Sequence, residues 1–102
     1  MKVIRVLVNV KPEASADFVN HIKQEMAEVK QKFTGCERFA LYGDASKEDS
    51  FLIYEEWQSQ TNFDTYRTSD YFKQNGEKLY AMMADPPDSA YFTAEVLQQP
   101  QP

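Results

Sequence analysis

Residues 51–72 read FLIYEEWQSQTNFDTYRTSDYF, and half of the chain's Phe, Tyr and Trp residues fall inside this one stretch. Its first seven residues carry the β-branched and aromatic side chains of a strand and end at the only tryptophan, Trp57. Ser59 then offers an N-cap for a short helix holding Phe63 and Tyr66, and Ser69 offers a second cap that restarts the helix at Asp70. Aromatics this dense on both sides of a turn either build a core or wall a pocket for a flat ligand.

Outward from this unit the remaining elements fall into place. Val3 to Val10 is apolar almost throughout and stops at Lys11-Pro12, which marks a strand buried on both faces, and Pro12 fits the first turn of a helix. From Ser15 to Phe33 the residues Val19, Ile22, Met26, Val29 and Phe33 step by three and four, with Phe18 widening the stripe, so this is one amphipathic helix ended by Gly35. Cys36 to Tyr42 is expected as a second strand, Phe51 to Trp57 as the third and Ser89 to Leu97 as the last. Between them the helix restarted at Asp70 carries Phe72, Gly76, Leu79 and Met83 on one face and stops at Pro86-Pro87.

Strand, helix, strand, strand, helix, strand is the split βαβ order of a ferredoxin-like α+β sandwich with a four-stranded antiparallel sheet. Two helices cover only one face of such a sheet, yet all four strands carry large apolar side chains at both parities: Val6 and Val8 against Val3 and Leu7, Ile53 and Trp57 against Leu52 and Tyr54. A half-solvated sheet would alternate with polar residues. The expected cover for the second face is another copy of the chain, giving a homodimer joined sheet to sheet.

Composition bounds the function. At 102 residues the chain is expected to be a single domain over residues 1–97, with a polar, proline-containing tail at residues 98–102. A net charge of −5 without a basic cluster argues against nucleic acid and anionic membrane as partners. MKVIRVLVNV is too short for a leader or a membrane span, and a cytoplasmic protein is expected. One cysteine and one histidine leave no disulfide framework and no Cys/His metal site.

Gly35-Cys36 at the start of the second strand, the run Phe51-Leu52-Ile53-Tyr54-Glu55-Glu56-Trp57, and the following Phe63, Tyr66, Ser69 and Phe72 resemble the antibiotic biosynthesis monooxygenase family of dimeric α/β barrels. The likeness spans about residues 3–97. It implies the fold more firmly than the chemistry, since the family includes cofactor-independent monooxygenases of polycyclic phenols, quinol oxidases, haem-degrading enzymes, an autoinducer-processing enzyme and members without known activity. Many members place His where Tyr66 stands. The positions that resemble the Asn, Trp and His of the haem-degrading branch hold Val6 or its neighbours, Tyr66 and Gly76, which disfavours haem degradation.

The resemblance therefore implies an oxygenase that needs no cofactor and acts on a small aromatic or quinol-like molecule. Such chemistry asks the protein to take a proton, hold the resulting anion and exclude water. Tyr66 is the first candidate for that polar role, Trp57 a candidate N–H donor to a substrate oxygen, and Asn9 a further catalytic candidate. Tyr54, Phe72, Gly76, Leu79, Met82, Met83 and Arg67 are the expected substrate-binding residues. Gly76 is the sharpest of them: inside a helix it costs about 1 kcal/mol against alanine, which points either to a cavity roofed by the helix or to close helix-to-sheet packing.

Bland readings compete throughout. Tyr66 and Trp57 also suit the core, and Trp57 the dimer interface. Cys36 suits a small buried hydrophobe, His21 a solvent-edge side chain, and Glu55 an ion pair with Arg5 or Arg38. Two other functions stay open: a non-catalytic small-ligand or stress-response barrel, and a processing or isomerase enzyme for a small carbonyl metabolite.

Overall fold

The computed structural model describes residues 1–99. Four strands, β1 (Lys2–Asn9), β2 (Cys36–Gly43), β3 (Ser50–Trp57) and β4 (Asp88–Thr93), form one antiparallel sheet in the order β2-β3-β1-β4. Helices α1 (Ser15–Lys32), α2 (Gln60–Arg67) and α3 (Asp70–Met82) supply the helical layer. This is the ferredoxin-like α+β sandwich expected from the element order.

Local chemistry sets the boundaries. Pro12 opens a short 3-10 turn, Pro12–Ala14, that leads into α1 rather than belonging to it. The hydroxyls of Ser59 and Ser69 accept from the backbone N–H of Asn62 and Phe72, capping α2 and α3. Gly35, at φ 90°, turns the chain out of α1, and a Cβ there would run into Asn62.

Register sorts the side chains into two sets. Ile4 lies opposite Glu55, Val6 opposite Ile53 and Val8 opposite Phe51, while Phe39 lies on the other side of Glu55. These side chains face the helices, where Phe18, Ile22 and Val29 of α1 are wholly buried against them. Each such buried side chain contributes about 1.5–3 kcal/mol. The opposite parity (Val3, Arg5, Leu7; Leu52, Tyr54, Glu56; Tyr42; Phe92) faces away from every helix.

Two expectations need correction. Trp57, expected in part toward a dimer, shares its parity with Phe51 and Ile53 and is 0% exposed on the helix-covered face. The last strand ends at Thr93 rather than Leu97, because Thr93 pairs with Lys2 at the very start of β1 and the ladder runs out of partners. Val96 and Leu97 are left exposed. Of the expected tail, residues 100–102 lie outside the described residues. No helix among the described residues is long and apolar enough to cross a membrane.

Candidate active site

Unlike α1, which packs directly on β2, α3 leans chiefly on α1 and α2. Its C-terminal end is pinned to β1, where Lys11 N–H donates to Met82 O at 2.9 Å and Ala84 N–H to Asn9 O at 2.8 Å. A cavity of about 170 Å³ opens between α3 and the sheet. Gly76 borders it, and a Cβ built there meets nothing within 4 Å, so the glycine faces open space and does not serve close packing.

Phe72, Leu79 and Met83 join Gly76 in the wall. Ile4, Val6, Phe39 and Ile53 form its sheet side, while the exposed Tyr80 and Tyr91 stand at its rim. Within this apolar shell sit two carboxyl groups, Glu25 from α1 and Glu55 from β3, both buried. Neither forms an ion pair among the described residues.

Each carboxyl is held by one aromatic donor. The indole N–H of Trp57 donates to Glu55 Oε1 at 2.8 Å, and the Tyr66 hydroxyl donates to Glu25 Oε1 at 2.7 Å. The two rings stack, with centroids 5.1 Å apart and planes 21° from parallel. Glu25 Oε2 is buried without a hydrogen-bond partner among the described residues. Burial raises the Glu55 carboxyl to about 7, against the smaller lowering effect of the Trp57 hydrogen bond, with the nearby Glu25 charge adding to the rise. Burial likewise raises Glu25, opposed by its bond from Tyr66. Tyr66 is pushed far above the usual phenol range by burial and by both carboxylates, so it keeps its proton and acts as a donor.

The other sequence candidates are not brought together here. Trp57 and Tyr66 lie behind the two carboxyls and outside the cavity lining, with their polar atoms already spent on Glu55 and Glu25. Asn9 lies at the far end of β1, bonded to Asp85, Lys47 and Ser50. Tyr54 is on the opposite sheet face, donating to Glu56 Oε2 at 2.6 Å. Met82 packs at the margin of the core, outside the lining. Arg67 is exposed, its Nε 2.7 Å from Asp64 Oδ1, and borders a second groove beside Phe63 and Tyr91. Burial pushes the Cys36 thiol up to about 11, which leaves it protonated and inert at neutral pH. Among the described residues there is no cluster of three or more His, Cys, Asp or Glu side chains suited to a metal ion.

Glu55 does not pair with Arg5 or Arg38 as an ion pair would require. Glu25 was not singled out by sequence, although a signal existed. The deeply buried line of α1 is Phe18, Ile22, Glu25 and Val29, so a charged residue occupies an apolar helical step.

The family model for antibiotic biosynthesis monooxygenases matches residues 1–78. The chain belongs to the antibiotic biosynthesis monooxygenase family. The solved structure of a mutant of SnoaB, a cofactor-independent oxygenase from Streptomyces nogalater, is similar over 94% of each chain, with TM-score 0.80 at 19% identity. A conserved protein from Methanosarcina mazei Go1 is similar over 93% of this chain and 95% of its own, with TM-score 0.79 at 25% identity. The uncharacterized protein sll1783 of Synechocystis sp. is 28% identical over 79 residues, covering 78% of this chain. The chain spans about half the length of that curated relative, 53%. Family membership and the structural likenesses together support the fold.

Proposed function

We propose that the protein is a cofactor-independent monooxygenase that takes a single-ring phenol or hydroquinone into the α3 cavity, with Glu55 as the proton acceptor. The observation that carries this reading is an uncompensated carboxyl in an apolar cavity whose burial raises it to about 7, where acceptor and donor forms are both available at neutral pH. A cavity of about 170 Å³ suits one ring, since a closed cavity of about 150 Å³ in another protein accepts benzene.

The chemistry asks for little beyond that. Ionised at oxygen, the bound ring becomes electron-rich enough to reduce dioxygen itself. One oxygen atom enters the ring and the other leaves as water, so phenol and O2 give quinone and water. Glu55 takes the proton, the indole N–H of Trp57 and the Tyr66 hydroxyl fix the two carboxyls, and Phe72, Leu79 and Met83 keep water away from the anion. Polar groups converging inside an aromatic wall favour an enzyme over a passive binding barrel. Oxygen uptake with a panel of hydroquinones, in protein shown free of flavin and metal, tests this. Uptake above the buffer rate is expected for single-ring substrates, and a rate equal to buffer across the panel removes the reading.

Gly76→Leu is expected to leave a folded protein of equal or greater thermal stability, because leucine is a better helix former than glycine, by somewhat less than the roughly 0.8–1 kcal/mol that separates alanine from glycine, and its Cβ meets no neighbour. Phenol binding measured by calorimetry is expected to be lost as the side chain fills the cavity. Destabilisation with binding intact would contradict the position given to this cavity.

The working unit we propose is a homodimer formed through the uncovered sheet face. Leu7, Tyr42 and Phe92 are 42%, 43% and 48% exposed there, and Arg5 Nε is buried without a partner among the described residues. Light scattering is expected to give twice the 11.8 kDa chain mass, and Leu7→Glu to shift it toward one chain. A single-chain mass for the wild type at micromolar concentration would contradict the dimer.

A further inference from the structure

Glu25 forms part of two cavities. One side of it belongs to the apolar ligand cavity, and the other borders a separate polar groove of about 290 Å³ between α1 and α3, lined also by His21, Glu28, Tyr71, Asn75 and Lys78. Of the residues lining the two spaces, Glu25 alone is shared. It is 5% exposed, and its Oε2 has no partner among the described residues while Oε1 is held by Tyr66. A base enclosed in an apolar cavity must lose its proton before it can act again, and a ring filling the cavity would stand between Glu55 and the rim at Tyr80 and Tyr91.

His21 stands one helical turn before Glu25 on α1, on the same side of the helix. Its Nε2 lies 2.8 Å from Asn75 Oδ1, and the Asn75 amide nitrogen donates to Tyr71 O at 2.8 Å. With the amide oriented by that second bond, Nε2 must carry the hydrogen that Oδ1 accepts. Nδ1 is therefore the acceptor nitrogen of the neutral ring. The titratable and charged groups around the imidazole are Glu25 and Glu28 from α1 and Tyr71 and Lys78 from α3, with Gln24, Gln74 and Asn75 completing the groove.

We infer that the proton taken from the ligand leaves the cavity through Glu25 to Nδ1 of His21, and from there along the α1–α3 groove to solvent. This rests on the proposed acid–base reading of the cavity. Glu55 gains an O–H bond as the ligand O–H bond breaks, and that Glu55 O–H bond then breaks as an O–H bond forms on Glu25, the second carboxyl of the same cavity. Its O–H bond then breaks as the Nδ1–H bond forms, and the imidazolium releases the proton to water. No electrons change hands in these steps. His21 touches neither the ligand nor the reacting atoms, so its part is that of a relay.

Stopped-flow mixing with a chromogenic nitrophenol, in weakly buffered solution containing a pH-indicator dye, reads the two events separately: phenolate colour for proton abstraction, dye colour for release to bulk. In the wild type the two signals are expected to rise together. In His21→Gln the phenolate is expected to form at the wild-type rate while release slows by about tenfold or more, and added imidazole is expected to restore it. Release as fast as in the wild type, or slow release that imidazole does not restore, overturns the relay while the acid–base reading stands. A bound nitrophenol that stays neutral in the wild type overturns both. Should His21→Gln fail to fold, Asn75→Ala, which frees Nε2, is expected to slow release with His21 still present, and an unchanged rate there overturns the relay.

Discussion

Glu55→Gln is expected to lower substrate oxidation by about 10²–10⁴-fold and, in the same protein, to raise stability above neutral pH. Glutamine keeps the shape and still accepts from the Trp57 indole, but it cannot take a proton or become charged. The stability gain follows from the direction of the Glu55 shift. An acid whose folded-state value is raised from 4.5 to about 7 holds its proton more tightly in the folded protein. Stability is then full below pH 4.5, falls between 4.5 and about 7 as the unfolded chain ionises first, and stays reduced above that. The difference amounts to about 3 kcal/mol at pH 8. Urea denaturation of variant and wild type is expected to coincide near pH 4.5 and to diverge by that amount at pH 8. A variant that is active, or less stable at both pH values, would show that Glu55 is neither the acceptor nor a buried acid under strain.

Trp57→Phe is expected to cost about 2–4 kcal/mol, and the loss is expected to grow with pH. The phenyl ring retains part of the stack on Tyr66, whose centroid lies 5.1 Å away, but the substitution leaves a cavity where the indole was and removes the indole hydrogen bond to the Glu55 carboxyl. Because that bond lowers the Glu55 value, its loss moves the carboxyl above about 7 and enlarges the penalty for ionising it in the folded state. The pH-dependent part is expected to vanish when Trp57→Phe is combined with Glu55→Gln, which leaves the cavity term alone. A double-mutant cycle in denaturant at pH 5 and pH 8 measures both parts. A penalty independent of pH would mean that the indole fills space without holding the carboxylate.

The two serine caps, the β3–α2 turn and the element order were legible because each depends on local chemistry: a hydroxyl placed to accept from a backbone N–H, or a run of one periodicity. The family resemblance was also legible in the same stretch, and the family match over residues 1–78 bears it out. The facing of β3 was harder. With Leu52 and Tyr54 as apolar as Ile53 and Trp57, periodicity gives no phase, and only the register against β1 and α1 places Trp57 in the core. Glu25 escaped for a related reason. The expected stripe already held Phe18, Ile22 and Val29 together with Val19 and Met26, but a charge at position 25 reads as a polar edge of that stripe until the fold shows it buried among them. The Asn9 and Arg67 candidates rested on chemical type alone, and each is held elsewhere by neighbours far away in sequence or exposed at the surface.

The most direct test of a proton-accepting carboxyl in the α3 cavity is a pH titration of the glutamate side-chain carboxyls by carbon-13 NMR, assigned with Glu55→Gln and Glu25→Gln. Glu55 is expected to titrate at about 7 and Glu25 above its ordinary range, with the Glu55 signal perturbed when a phenol binds. If both carboxyls titrate in the ordinary glutamate range and ignore the phenol, the cavity is not the site of proton transfer.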